Sequence, residues 1–450
     1  MMRCIKIENP KVRFRDGEIT LDPNDRLYFQ KRAYKDDSGM EVTEYILGWD
    51  KKPYYIPKER IHVGVFTDSK VKEETIKRFL QRIINGWPVH DKKQQKQQLW
   101  YFPGIKKMFS INVEITEPRP LSNIEQRHLD TEYDVVLVAL RQMDERKYDI
   151  RLELFSKAIP NKFIITTRPL HMPQYIYSVG RGLVARAGNF VPYILSDEIV
   201  NLITEYMGKD VQFIFLDSTR IGFIKGSLQL ATAAIIGNVN GTVSSVRIVP
   251  HASERDKITA VLDELKHNGD LDRNTILCAN GPISDKDIKT YEQMVQSTGI
   301  LSVLLEVSRS TLDPLLTHMD CNTPWGYGVE IANGERYIVN LTWAPDYPGI
   351  TRPIVFCFRN DPIKDIHFRR SLIKYLAWSS ALSPEAPVRP PSFPFYLHEA
   401  DLLCKLIHKL YVHLRKQGKD AIKALNEVRS SLERLANEKG GLPLLIHGER

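Results

Sequence analysis

The sequence predicts an α/β protein built from two lobes, and three observations support this prediction. Between Arg60 and Gly208, short apolar runs alternate with helical periodicities, which is typical of a parallel sheet. After Gly208, hairpin strands are followed by a helix and another apolar strand, which is typical of a mixed sheet. The length of 450 residues is enough for two or three domains with buried cores. We therefore expect N-terminal strands over 1–59 that pack on the second lobe, a first lobe over 60–208 and a second lobe over 209–450.

The first lobe is defined by strands that alternate with helices. Strands are predicted over 61–66, 110–115, 133–140 and 162–167, with helices over 71–84 and 148–157. A further helix begins at Ser196, which is a suitable N-cap, and ends at Gly208. Because parallel strands end at one edge of a sheet, a ligand is expected at their carboxyl ends.

The second lobe begins with several strands. These are predicted over 211–216, 220–226, 230–237 and 242–249, with a hairpin turn at Asn240-Gly241. A helix over 254–267 and a strand from Ile276 follow. Later elements are a strand over 301–307, a hairpin about Asn333-Gly334, and helices over 366–381, 398–417 and 420–437.

Bulk composition narrows the class of protein. Lys and Arg total 63 against 55 Asp and Glu, and this net charge of +8 permits a polyanionic partner without requiring one. The five cysteines are scattered without a Cys-x-x-Cys pair, so neither a disulfide framework nor a zinc site is expected, and a reducing cytoplasm fits best. No apolar run is long enough to span a bilayer, and the N-terminus has no signal-peptide core. Membrane insertion by this chain is therefore not expected.

The loop Ala279-Asn280-Gly281 is the most informative motif. It joins an apolar strand to a helix that Ser284 caps, with Asp285 and Asp287 in the first turn. It resembles the strand-end loop in which nuclease domains of the RNase H type place a metal-binding Asp before a Gly. Asn280 can offer an oxygen to a cation but brings no charge to a two-metal site that needs several carboxylates. The loop indicates a nuclease-like scaffold that has lost its chemistry.

A wider resemblance to Argonaute proteins covers nearly the whole chain. Residues 349–356, Gly-Ile-Thr-Arg-Pro-Ile-Val-Phe, resemble the Gly-Thr-x-x-Pro strand entry of a PIWI domain. Residues 372–381, the proline-rich stretch 383–394 and residues 393–403 resemble its helix, its Leu-Pro passage and its Tyr-Ala-Asp helix start. The lobe before Gly208 resembles a MID domain. The resemblance implies a Rossmann-like MID lobe and an RNase H-like PIWI lobe with no PAZ domain, as in short prokaryotic Argonautes.

The resemblance also assigns the catalytic positions. The stretch Ile221-Gly-Phe-Ile-Lys-Gly226 resembles the family's Ile-Gly-x-Asp strand, which places Ile224 in the first acidic position. Asp217 is expected in the preceding turn, out of register with that motif. The next acidic position is Asn280 and the last is Asp401, which instead could cap or solvate its helix. We therefore expect a degenerate site with no catalytic residue and no bound metal.

A pocket for the 5′ end of a guide strand follows from the same resemblance. Tyr148 stands where the family stacks a tyrosine on the first base, although an ordinary helix-surface role is an equal alternative. The family's first lysine position falls on Leu152, with Arg151 adjacent, and its glutamine position falls on Lys162. The lysine of the next helix falls near Glu205, with Lys209 one turn on. Residues that could contact phosphates are Arg168, Lys157, Arg181 and Arg186, each of which could also be simply solvated. The one cofactor considered is Mg²⁺ at the guide 5′-phosphate.

These resemblances imply a guide-binding Argonaute that does not cut. The expected partners are a small guide RNA, a complementary single-stranded DNA target and an effector protein with an APAZ domain. The effector would form a heterodimer with this chain, or a higher oligomer on activation, and would act in antiviral or anti-plasmid defence. An active guide-directed endonuclease and a scaffold subunit that binds no guide are the alternatives. The sequence leaves open the identity of the effector and the types of guide and target.

Overall fold

The structure is a computed structural model, and the chain divides into two compact units. The larger unit holds the described residues of 1–13, 18–24 and 194–443, and the smaller unit holds those of 14–17, 25–193 and 444–450. The described residues are 2–21, 28–35, 37–39, 41–47, 54, 59–87, 98–125, 133–142, 144–168, 170–187, 193–224, 227–253, 256–309, 325–341, 353–382 and 393–438. The proline-rich stretch 383–392 and residues 349–352 of the strand-entry motif lie outside them.

The smaller unit is organised around a parallel sheet with the strand order β11-β10-β6-β8. Its central strand β10 is buried at every residue, which explains why the sequence there is continuously apolar. The strands of this sheet are β6 (Arg60–Thr67), β8 (Asn112–Ile115), β10 (Val135–Leu140) and β11 (Asn161–Ile165), with β9 (Arg119–Pro120) paired to β6. The predicted alternation of strands and helices is confirmed.

Helices accompany this sheet, and a second sheet lies in the same unit. The helices are α1 (Glu73–Asn85), α2 (Ile105–Phe109), α3 (Ser122–Glu125), α4 (Arg146–Ser156) and α5 (Pro173–Arg186). A three-stranded sheet consists of β4 (Tyr28–Lys35), β5 (Glu41–Leu47) and β7 (Gln98–Tyr101). The sequence did not predict this sheet, since strands over 1–59 were expected to pack on the second lobe and no strand was expected over 98–101.

The larger unit is organised around a mixed nine-stranded sheet with the order β1-β18-β19-β20-β17-β16-β13-β14-β15. Three antiparallel strands are followed by parallel ones: β13 (Gln212–Ile224), β14 (Ser227–Asn238), β15 (Val243–His251), β16 (Thr275–Asn280) and β17 (Ser302–Arg309). The remaining strands are β1 (Met2–Lys6), β18 (Tyr327–Ile331), β19 (Arg336–Val339) and β20 (Ile354–Asn360). Both predicted hairpins are confirmed, with Gly241 and Asn333 at positive φ.

Helices cover both faces of this sheet. Leu216 and Ala279 pack in one core cluster with Ile258 and Tyr291, whereas Phe213 on the opposite face stacks on Tyr375 at 4.5 Å. The helices are α6 (Asp197–Met207), α7 (Lys257–His267), α8 (Asp285–Thr298), α9 (Ile366–Ser379), α10 (Phe395–Lys416) and α11 (Ala421–Glu438). As predicted, Ser284 caps α8 by accepting a hydrogen bond from the Asp287 amide at 3.1 Å.

The N-terminal segment is divided between the two units. Strand β1 pairs with β18 in the nine-stranded sheet, whereas β4 and β5 belong to the smaller unit. Strands β2 (Lys11–Phe14), β3 (Gly17–Thr20) and β12 (Ile194–Leu195) form a further small sheet. By compactness, the division falls between Tyr193 and Ile194 rather than at Gly208, because α6 packs on α9 through Tyr206 and Phe368.

Candidate functional sites

The chain order of the parallel sheet reverses at β6. Strand β6 lies between β8 and β10, so the chain passes to one side of β6 and then to the other, and ligands bind at such switch points. Asp68 follows β6 here and is buried, and its Oδ2 accepts a hydrogen bond from Arg146 Nη2 at 2.8 Å. Sequence reasoning missed this pair, because its two members lie far apart in the chain.

Three buried cations meet elsewhere in the smaller unit. Arg151 of α4, Lys162 of β11 and Arg186 of α5 are each at most 5% exposed. Arg186 Nη1 donates to the carbonyl oxygen of Gly182 at 3.2 Å, and a Cβ on Gly182 would lie 3.4 Å from Lys162 Nζ. We call Arg151, Lys162 and Arg186 the cation cluster. Lys162 is the second residue of β11, so this part of the cluster is near the amino end of the strand, not its carboxyl end as expected.

The electrostatics of the cation cluster favour an anion. Burial, together with the charge of Arg186, lowers the pKa of Arg151 to about 9. The Arg151 guanidinium also lies 5.1 Å from the centre of the Phe163 ring, so its surroundings are partly apolar. Like charges repel strongly where water is excluded. A phosphate group, with up to two negative charges and several acceptor oxygens, would relieve this repulsion.

Tyr148 lies close to Arg151 of the cation cluster. It is half-buried in the first turn of α4, and its hydroxyl group interacts electrostatically with Arg151. The Lys147 ammonium lies 4.9 Å from the centre of its ring. Leu152, which matches the family's lysine position, is buried, so the adjacent Arg151 supplies the positive charge here.

The other predicted phosphate contacts lie in different surroundings. Arg181 is buried, but its Nη1 donates to the Tyr177 hydroxyl at 3.0 Å. Lys157 ends α4 and forms an ion pair with Glu153 at 3.4 Å, while Arg168 is exposed in the turn after β11. Lys209 is exposed after the end of α6, in the larger unit. The roles of these four residues remain predictions.

Magnesium does not fit the cation cluster. Mg²⁺ takes oxygen ligands, whereas the side chains of the cluster present N–H donors and positive charge. In the part of the chain that the structure describes, no group of three or more His, Cys, Asp and Glu side chains could hold a metal ion. The cations themselves offer the positive charge that a bound metal would bring to a phosphate.

A second candidate site lies where β13 and β16 run side by side. Asn280 Nδ2 donates to Asp217 Oδ1 at 2.9 Å. Asp401, in the second turn of α10, is close enough for its charge to raise the pKa of Asp217. In the next turn, Cys404 Sγ donates to the backbone oxygen of Asp217 at 3.2 Å. We call Asp217, Asn280 and Asp401 the strand-end site.

The position of Asp217 corrects the interpretation of the sequence. The expected turn at Asp217 does not exist, since β13 runs unbroken through it and pairs Asp217 with Ala233. Ile224 is the last residue of β13, about 23 Å further along the strand at the usual rise per residue. The residue beside Asn280 is therefore Asp217 and not Ile224, and two of the three members of the site are carboxylates.

Lysines partly neutralise this site. Burial and the charge of Asp401 raise the pKa of Asp217 to about 6, while Asn280 and Lys257 act in the opposite direction. Lys257 is buried, and its Nζ donates to the backbone oxygen of Asn280 at 3.0 Å. Lys405 forms an ion pair with Asp401 at 2.6 Å. Among the described residues, the site therefore combines two carboxylates, one amide and two lysines.

Comparison with known proteins places this geometry in a known fold. No protein-family model and no curated protein sequence matches the chain. The C-terminal lobe of a budding yeast Argonaute matches with a TM-score of 0.65 and 10% identity, over 96% of this chain and 94% of that lobe. Clostridium butyricum Argonaute, bound to a guide DNA and a 19-mer target DNA, matches with a TM-score of 0.63 and 16% identity, over 91% of this chain and 53% of that one.

Kluyveromyces polysporus Argonaute with a guide RNA matches with a TM-score of 0.62 and 10% identity, over 91% of this chain and 53% of that one. The chain has the fold of the C-terminal lobe of Argonaute proteins. Its smaller unit has a Rossmann-like fold like that of a MID domain, and its larger unit has an RNase H-like fold like that of a PIWI domain; we call them the MID unit and the PIWI unit. The chain spans about half the length of the Aquifex, Clostridium and Kluyveromyces Argonautes that it matches. In the described part of the chain, no helix has the length and apolar character needed to cross a bilayer.

Proposed function

We propose that this chain binds the phosphorylated 5′ end of a guide strand in its MID unit and presents the guide for pairing with a complementary strand. The observation that carries this proposal is the cation cluster, in which three buried cations converge in the MID unit. Two matched Argonautes hold a guide DNA and a guide RNA, respectively. Sequence recognition would come from base pairing, while the protein grips the backbone through charge.

We further propose that this chain does not cut the paired strand. The neutral Asn280 and the buried Lys257 both support this, because each lowers the affinity of the strand-end site for a divalent cation. Pairing between guide and target would then activate a partner protein. From the short-Argonaute resemblance we propose a small RNA guide, a single-stranded DNA target and an APAZ-domain effector that defends the cell against invading nucleic acid.

A binding experiment tests the guide pocket. The affinity of the purified protein is measured for one RNA oligonucleotide that carries either a 5′-phosphate or a 5′-hydroxyl. We expect Lys162→Ala and Arg186→Ala each to weaken binding of the phosphorylated strand by about ten- to hundredfold, as loss of a charge-assisted hydrogen bond would. Binding of the hydroxylated strand should change little.

Lys106→Ala is the matched control, because Lys106 carries the same charge and is exposed in the same unit. It should leave the preference for the phosphate unchanged. Equal affinity of the wild-type protein for both strands would refute the pocket. Absence of short strands copurified with the protein would favour a scaffold role instead.

An active endonuclease is the second candidate, and the position of Asp217 favours it. Two carboxylates, Asp217 and Asp401, remain at the strand-end site. Incubation of guide-loaded protein with a complementary target and Mg²⁺ or Mn²⁺ separates the candidates. Cutting at a guide-defined position that Asp401→Ala abolishes would establish the endonuclease. An intact target would support the binding protein.

A further inference from the structure

We infer that the ammonium group of Lys257 is the resident cation of the strand-end site and takes the electrostatic role that a divalent ion has in an RNase H-like nuclease. The inference deepens the proposed function, because it states why this site would not recruit metal. It concerns only residues of this chain and requires no ligand.

Hydrogen bonds connect Lys257 to β16 directly and to β13 through Asn280. Lys257 begins α7, is 6% exposed, and donates from Nζ to the backbone oxygen of Asn280 at 3.0 Å. The side chain of the same Asn280 donates to Asp217 at 2.9 Å. Asn280 therefore contacts the ammonium through its backbone and the Asp217 carboxylate through its side chain. This short path links α7, β16 and β13.

The charges support the same assignment. Lys257 faces several acidic groups, since its charge acts on both Asp217 and Asp287 and favours their ionised forms. A buried lysine keeps its charge only where carboxylates or carbonyls compensate it. Lys257 has both kinds of neighbour. A divalent ion bound to Asp217 would be repelled by this ammonium, and burial leaves little water to screen the repulsion.

Asn280 completes the arrangement. Its side-chain nitrogen donates a hydrogen bond to an Asp217 oxygen that could otherwise be a metal ligand. An Asp in its place would add a negative charge, and three carboxylates would then face two lysines. Asn280 and Lys257 thus form a matched pair, in which the amide satisfies the carboxylate and the ammonium balances its charge.

A double-mutant cycle tests the electrostatic link. Lys257→Met should lower the thermal unfolding midpoint by several degrees, because Asp217 then loses its buried counter-charge. In the Asp217→Asn background the same substitution should cost less than half as much. Lys405→Met is the matched control, since Lys405 contacts Asp401 from the exposed side, and it should cost little in either background. An equal loss for Lys257→Met in both backgrounds would overturn the inference.

Metal binding gives an independent test. Electron paramagnetic resonance of added Mn²⁺ counts the bound ions, and the Asp217→Asn protein defines the background. Wild type and Asn280→Asp should show no binding above that background, whereas Asn280→Asp/Lys257→Met should bind Mn²⁺. Asp217-dependent binding by wild type, or a folded double variant that binds none, would contradict the inference.

Two features keep these tests interpretable. Lys257→Gln removes the charge but can still donate to Asn280, so it replaces Lys257→Met if that variant fails to fold. Neither experiment involves a guide strand. A failure of guide binding would therefore leave the inference standing, and a failure of the inference would leave the cation cluster untouched.

Discussion

Arg186 Nη1 donates a hydrogen bond of 3.2 Å to the carbonyl oxygen of Gly182 one helical turn earlier, and a Cβ at position 182 would lie 2.7 Å from that nitrogen. The missing side chain at Gly182 therefore makes room for the guanidinium within α5. The same Cβ would lie 3.4 Å from Lys162 Nζ, which is an ordinary contact distance, so the Arg186 guanidinium is the group that depends on the glycine. Gly182 thus lets Arg186 of the helix lie beside Lys162 of β11.

Gly182→Ala should weaken binding of a 5′-phosphorylated guide by about tenfold, an effect of roughly 1.4 kcal/mol. The new methyl group displaces Arg186, whose side-chain end can move, so the fold should tolerate the change. Replacing a helical glycine by alanine also contributes about 0.5–1 kcal/mol of stability, because the unfolded chain loses less conformational entropy on folding. Binding of phosphorylated and hydroxylated strands, together with urea unfolding, measures both effects.

Gly180→Ala is the contrasting control in the same helix. Its Cβ would lie 2.8 Å from Cγ2 of Ile105, inside the packed core. This variant should lose roughly 1–3 kcal/mol of stability through overpacking while keeping the preference for a 5′-phosphate. If both variants lost that preference equally, the effect would be one of folding and not of the cation cluster.

Asp217→Asn should stabilise the protein at neutral pH. Burial and Asp401 raise the folded-state pKa of Asp217 to about 6, from 3.8, so the folded protein binds this proton more tightly than the unfolded chain. The resulting penalty is fully present above pH 6 and disappears as the pH falls towards 4. At 1.36 kcal/mol per pKa unit, it amounts to roughly 3 kcal/mol at most.

Urea midpoints at pH 7.5 and pH 4.5 measure this effect. The free energy of unfolding from these curves should be about 1–3 kcal/mol higher for the variant than for wild type at the higher pH. The difference should be smaller at the lower pH. Asp210→Asn controls for the charge change, because Asp210 is exposed in the same unit. A gain that did not depend on pH would show that the ionisation of Asp217 is not its cause.

The order of elements in both units could be predicted from the sequence, because hydrophobic periodicity and glycine turns are local properties. The position of Asp217 could not. The residues Asp217-Ser-Thr-Arg220 are polar and follow an apolar run, which is typical of a turn. In the structure this segment stays in β13, because β14 supplies a full-length antiparallel partner from Leu216 to Arg220. That partner is a tertiary feature.

The arrangement of the cation cluster also could not be predicted in full from the sequence. Tyr148, Arg151 and Lys162 were assigned by counting along the chain, and the structure places Tyr148 near Arg151. Arg186 was expected only as a backbone contact, yet it lies with Lys162 at Gly182. The spacing of four between Gly182 and Arg186 puts both on one helix face, which the sequence does contain. Which strand that face meets depends on the packing of α5.

Glu433→Ala should destabilise the PIWI unit by roughly 1–3 kcal/mol, because it leaves a strand amide without its partner. Glu433 Oε1 accepts a hydrogen bond from the backbone nitrogen of Ile248 at 2.6 Å, and Asn437 contacts Val246 in the same strand. The helix α11 thus covers one edge of the nine-stranded sheet. An uncovered edge is also open to association with other strands.

Chemical unfolding and light scattering test this role. Glu438→Ala is the control from the same helix, since Glu438 is exposed and forms an ion pair with Arg434. It should change stability by less than about 1 kcal/mol, as exposed ion pairs do. If the two substitutions had the same cost, the contact with Ile248 would contribute nothing.

Asn280→Asp should not create a nuclease. The substitution replaces an amide donor, 2.9 Å from Asp217 Oδ1, with a second carboxylate, so two like charges meet in a partly buried site. Such pairs raise the pKa of one member and favour its protonated form, which binds metal poorly. The Lys257 ammonium remains beside position 280 and further opposes a divalent ion.

We expect the Asn280→Asp protein to be less stable at pH 7.5 than at pH 5.5. We also expect an intact target after the guide-loaded variant is incubated with Mg²⁺ or Mn²⁺. Gel analysis of a labelled target checks this, with wild type as the matched control. Cutting by Asn280→Asp alone, at a position that moves with the guide, would show that one missing charge separates this site from catalysis.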